Sequence, residues 1–92
     1  MNPLHPLIST DRIADIAKEV APEGYMTNVA VTFDELFIGF RKGNRVARST
    51  LNVWTIRKYP SELQERFIRA AAEDAVIELR REQNERLPKE NQ

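Results

Sequence analysis

Gly43-Asn44 stands between Phe40-Arg41-Lys42 and Arg45-Val46-Ala47. This pair constrains the chain more than any other feature, because a glycine beside an asparagine supplies the two-residue turn that joins antiparallel strands. Thr50, Val53, Trp54, Thr55 and Ile56 continue the strand-forming character downstream. The turn also sets a register. It places Phe40 opposite Ala47 and Leu36 opposite Leu51 on one face, with Phe33 opposite Trp54 and Val31 opposite Ile56 on the other. A bulge at Asp34-Glu35 brings both sets to one side, and a turn there divides the segment into three strands.

Amphipathic helices flank this segment. Ile13, Ile16, Ala17 and Val20 follow helical spacing, Ser9 or Thr10 can cap them, Ile8 and Ile13 are placed as a hydrophobic staple, and Pro22 with Gly24 ends the element. The second helix runs from Ser61, which with Gln64 matches a capping box after Pro60, to about Arg86 before Pro88. Its apolar side gathers Phe67, Ile68, Ala71, Ala72, Ala75, Val76 and Leu79. So wide an arc exceeds what a two-stranded sheet and one short helix can cover. Ile68, Ala72, Val76 and Leu79 are therefore the expected interface of a homo-oligomer, with two-fold pairing of this helix the simplest closed arrangement. Glu62–Arg66, Glu65–Arg69 and Arg69–Glu73 are spaced as intrahelical ion pairs.

The order predicts an α+β fold: helix, central antiparallel β-hairpin or small sheet, and a long C-terminal helix packed on one sheet face. The alternative is an all-α helix-turn-helix. Thr32 and Glu35 then cap a helix carrying Phe33, Leu36, Phe37 and Phe40, Gly43 stops it, and "ARSTLNVWTIRKY" resembles the recognition half of a helix-turn-helix with Val46, Leu51 and Trp54 on its buried side. Arg41 stands where such a motif needs a small residue, and Asn44 where it needs an apolar one, which leaves the hairpin as the first reading.

Ninety-two residues make one small domain, 1–92, with flexible ends expected at about 1–8 and 87–92. Cysteine is absent, which excludes disulfides and thiol chemistry and points to a reducing, cytoplasmic setting. No signal peptide or membrane span is visible, so no membrane partner is expected. The net charge is zero but unevenly spread: residues 1–35 carry −4, residues 36–61 carry +6 with no acid, and residues 62–92 carry −2.

Catalytic groups are sparse. His5, the one histidine, lies in a Pro-flanked segment, and Ser9, Ser49 and Ser61 fit caps or turns. Asp74 and Glu78 are spaced to share a helix face but cannot complete a metal shell, and "GFRKGN" lacks the pattern of a phosphate-binding loop. No catalytic residue, cofactor or metal is expected. The remaining feature is the basic stretch, in which Phe33, Phe37, Phe40 and Trp54 are expected in the core, with Trp54 against Phe33 or the final helix. Arg41, Lys42, Arg45 and Arg48 are expected as one exposed patch at the hairpin end, with Arg57 and Lys58 beyond, because Lys42 and Arg45 lie side by side and need an anion to compensate them. These features describe a non-enzymatic regulatory or accessory protein, of the size class common among phage and mobile-element factors and their inhibitors. Its expected partner is a protein with an acidic surface, and the alternative partner is a nucleic acid bound through residues 40–58.

Overall fold

A computed structural model describes residues 3–86. Its elements are α1 (Thr10–Val20), β1 (Met26–Val31), β2 (Glu35–Lys42), β3 (Arg45–Asn52), α2 (Val53–Ile56) and α3 (Ser61–Arg86). The fold is α+β, as the element order predicts. The strands form one antiparallel sheet in the order β1-β2-β3, and α1 and α3 cover one of its faces.

Gly43-Asn44 makes the turn between β2 and β3. Gly43 has φ +61° while Asn44 keeps a negative φ, the pattern of a type II′ turn with glycine first. Phe40 pairs with Ala47 and Leu36 with Leu51, in the expected register. The helix-turn-helix alternative is overturned by this sheet. Thr32 and Glu35, its proposed helix cap, instead close the β1–β2 turn: the Glu35 amide donates to Thr32 Oγ1 (3.0 Å) and the Thr32 amide to the Glu35 carbonyl (2.8 Å). The same side-chain-to-backbone bond that starts a helix here ends a strand.

That turn also explains why the strand expected through Ile56 stops at Asn52. Beyond Asn52 the neighbouring chain bends away, and only the Val53 amide still finds a ladder partner, the Asp34 carbonyl (2.9 Å). Asn52 then accepts the Thr55 amide (3.0 Å) and starts the single turn α2. Trp54 is thus helical, and its ring meets Phe33 edge-on at 5.3 Å.

Alternation along the sheet sets the core. Leu36, Ile38, Phe40 and Ala47 face the helices and are buried with Ile13, Ile16, Ala17, Val53, Ile68, Ala72, Ala75, Val76 and Leu79. Of the four aromatics expected inside, only Phe40 is fully buried. Phe37 and Trp54 are half-buried, and Phe33 is 81% exposed at the tip of the β1–β2 turn. Phe33 and Phe37 differ in parity from Leu36, Ile38 and Phe40 or lie past the strand, so pleating turns them out.

Ile68, Ala72, Val76 and Leu79 belong to this core, which corrects their expected role as an oligomer interface. The third strand and α1 consume the apolar arc that a two-stranded sheet leaves open. Small residues let α3 approach β3 closely, and Ser49, expected in a local turn, donates across the layers to the Ala71 carbonyl (2.6 Å).

α1 begins as its spacing predicts, with Ser9 Oγ accepting the Arg12 amide (3.1 Å). Between the helices, Arg12 grips Glu65 through two hydrogen bonds (3.0 and 2.8 Å), and Glu19 takes Arg69 (2.9 Å). Interhelical pairing therefore replaces the expected intrahelical pairs of Glu65 and Arg69. The hydrogen bonds from Arg12 hold the Glu65 carboxyl below its ordinary value of 4.5; partial desolvation opposes them, and the charges of Arg12 and Arg69 add. A carboxylate lowered on folding contributes stability that is complete above its ordinary value and disappears as the pH falls through its folded value. Glu65→Gln is therefore expected to flatten the acid limb of a plot of Tm against pH below about pH 5, with little slope change near neutrality.

The start of α3 departs from the capping box. Gln64 does not reach back to Ser61. It is fully buried, its Oε1 accepting the Ile8 amide (3.0 Å) and its Nε2 donating to the carbonyls of Pro6 (3.0 Å) and Tyr59 (2.9 Å). The His5 amide donates to the Arg57 carbonyl and Arg57 Nε to the His5 carbonyl, both at 2.8 Å. Residues 5–8, expected to be loose, are thus strapped to α2 and α3. The other expected flexible end, 87–92, lies outside the described residues.

Candidate partner-binding surface

The helices cover one sheet face and leave the other open. Strand pairing arranges the open face in rows: Met26, Arg41 and Val46; then Asn28, Gly39 and Arg48; then Ala30, Phe37 and Thr50. Met26 is 74% and Val46 54% exposed, values that core-facing positions of a covered sheet do not show. Gly39 gives the middle row no side chain, and the resulting depression, about 480 Å³, is lined by Met26, Asn28, Arg41, Val46 and Arg48 around it. Arg48 lies 6.0 Å from the Phe37 ring centre, a cation–π placement that holds the guanidinium over the sheet.

Pleating divides the expected basic patch. Arg41 and Arg48 are on the open face, whereas Lys42 and Arg45 belong to the helix-covered side. Lys42 Nζ sits 5.9 Å from the Tyr25 ring centre, and Arg45 turns inward to donate from Nη2 to the Leu79 carbonyl (2.9 Å), its Nε buried without a partner. The two neighbouring cations turn to different partners, Lys42 to a π face and Arg45 to a carbonyl of α3. Of the four residues of the expected patch, Arg41 and Arg48 share the open face, Lys42 is exposed on the other side, and Arg45 alone is drawn into the fold.

Arg57 and Lys58 follow α2, at the far end of β3 from the Gly43-Asn44 turn. Arg57 lies over the Trp54 ring at 5.1 Å while its Nε is held by the His5 carbonyl. Lys58 is exposed. With Phe33 beside Trp54, this end forms a second, aromatic surface. His5 is exposed, Glu78 pairs with Arg81 (3.4 Å), and among the described residues no three His, Cys, Asp or Glu side chains gather as a metal site.

Met26, Asn28, Phe37 and Val46 were not among the expected contact residues. Their signal is present in the sequence: period-two alternation from Lys42 and Arg45 outward assigns Arg41, Val46 and Arg48 to one face and Lys42 and Arg45 to the other. Gly39 is the most testable of the lining positions. Its φ is not positive, and an added Cβ meets the Ala47 carbonyl at 3.8 Å and Asn28 Cβ at 3.9 Å, ordinary contacts. Gly39→Ala is expected to stabilise the protein by about 0.5–1 kcal/mol in urea denaturation while filling the floor of the depression.

No protein-family model matches the chain, and no curated protein and no solved structure matches it. No helix among the described residues is long and apolar enough to cross a membrane.

Proposed function

We propose that this is a non-enzymatic binding module whose open sheet face receives an acidic protein partner. One observation carries the reading: Arg41 and Arg48 stand one row apart on the uncovered face, beside exposed Met26 and Val46, and neither meets an acidic side chain among the described residues. Charge with adjacent apolar area is the composition of a recognition surface, the arginines steering encounter and the apolar groups retaining the partner. A regulatory or accessory role in a reducing, intracellular setting fits a small cysteine-free chain. In the test, an Arg41→Ser/Arg48→Ser variant is expected to keep its melting temperature, because exposed charges contribute less than about 0.5 kcal/mol, and to lose a partner captured by the parent, chiefly through a slower association rate. A variant that folds and binds as the parent does removes the open face from consideration.

The second reading, a nucleic-acid partner, is favoured by the opposite end of the sheet, where Phe33 is 81% exposed beside Trp54 and Arg57. Exposed rings beside a guanidinium stack on unpaired bases. A single-stranded oligonucleotide whose affinity falls steeply with salt, and whose binding is lost in Phe33→Ala, supports this reading. Salt-insensitive or absent binding rejects it.

A further inference from the structure

The sheet has two edges, and they differ in chemistry. The bond from the Thr32 amide to the Glu35 carbonyl marks that pair as hydrogen-bonded. Because hydrogen-bonded pairs alternate along an antiparallel ladder, the main-chain groups of Met26, Asn28 and Ala30 also point to β2, and those of Thr27, Val29 and Val31 point away. The bond from the Val53 amide to the Asp34 carbonyl requires the same phase on the other side of β2, so the assignment is consistent across the sheet. No hydrogen bond outside the ladder reaches the outward groups of Thr27, Val29 or Val31 among the described residues.

Exposed edges are ordinarily blunted by lysine, arginine, proline or a bulge. The β3 edge follows that rule, with Arg45 and Arg48 in its strand. β1 does not: Met26-Thr27-Asn28-Val29-Ala30-Val31 has no charge, no proline and no bulge in its pairing.

We propose that β1 pairs antiparallel with β1 of a second copy of this chain, giving one sheet continuous through both. A two-fold axis perpendicular to the sheet at Val29 pairs Val29 with itself and Thr27 with Val31, so every outward main-chain group of these residues finds a partner. It also preserves the faces, setting Asn28 opposite Ala30 of the other copy on the open side. The helix layer supports self-pairing. α1 packs on β1 and on α3, and Arg12 and Glu19 occupy its α3 side. Asp11, Ala14 and Lys18 therefore lie on the flank toward the β1 edge, where antiparallel association brings Asp11 of each copy toward Lys18 of the other across a small alanine. The assembly joins both open faces, so Arg41 and Arg48 of the two copies line one surface. It replaces the α3 interface with a different one and does not depend on what that surface binds.

Asn28 and Ala30 are exposed, so they can be altered without disturbing the core. The parent is expected to show a dimer mass by light scattering at high micromolar concentration, with the amides of Thr27, Val29 and Val31 protected from exchange. Asn28→Glu/Ala30→Glu sets like charges opposite each other across the axis and is expected to halve the mass and expose those amides, with the melting transition of a folded monomer retained. Asn28→Glu/Ala30→Lys restores complementarity only in this register and is expected to restore the dimer. A parent that stays monomeric at high micromolar concentration, a diglutamate variant that remains dimeric, or a Glu/Lys variant that remains monomeric overturns the proposal.

Discussion

Gln64→Ala is expected to destabilise the protein by about 2–4 kcal/mol, since each buried polar group left without a partner costs roughly 1–3 kcal/mol and some of those exposed here recover water. Among the described residues Gln64 is the one buried polar side chain, and it holds the Ile8 amide and the Pro6 and Tyr59 carbonyls together. Its loss releases the N-terminal strap from the start of α3. Urea denaturation measures the change, and amide exchange at Ile8 locates it. Gln64→Glu separates packing from hydrogen bonding: the carboxylate still accepts from Ile8 but faces two carbonyls and carries a buried charge. Burial raises the pKa of such a group. The Glu variant should therefore be least stable at neutral pH and regain stability as acidification protonates it, whereas the Ala variant should not.

Phe40→Ala is expected to cost about 3–5 kcal/mol, a large part of the roughly 5–15 kcal/mol that holds a domain together. Phe40 occupies the central strand, is almost fully buried, and lies between Thr27 and Ala47, neither of which can fill the space its ring leaves. Phe37→Ala, on the same strand and the opposite face, is expected to cost about 1 kcal/mol, the lower range of single substitutions, since its ring is only partly buried, on the face the helices leave open, with Arg48 beside it. Thermal melts of the two variants compare the faces directly. Equal losses would mean that the open face is covered in solution.

The parts of this fold legible in the sequence are those governed by neighbours along the chain. Ser9 caps α1 because its hydroxyl needs only the Arg12 amide, and Gly43 turns the hairpin because its own φ permits it. The Phe40–Ala47 register follows by counting from that turn. What was not legible depends on contacts made at a distance. Gln64 reads as a capping-box residue until Ile8 and Pro6 arrive beside it. Val53 to Ile56 have strand propensity, yet β2 offers them no partner once Thr32 and Glu35 close their turn. Likewise the basic patch was visible as composition, but its division depended on pleating: Arg45 reaches a carbonyl of α3, a helix that begins well downstream, and Arg48 does not. The alternation that separates them was available, and composition alone obscured it.

The strap has a consequence for the order in which a growing chain can become structured. Both hairpins close over short loops and can form within microseconds once their residues exist. Ile8, in contrast, bonds a residue 56 positions later, and Arg12 one 53 positions later. During synthesis at about 5–20 residues per second, the first helix therefore waits several seconds beside a sheet whose helix layer is half built. Through that interval the apolar side of α1 and the inner face of the strands have only each other for cover, and the unblunted β1 edge is already formed. The interval before α3 emerges is consequently when premature strand pairing between nascent chains competes most strongly with completion of the fold.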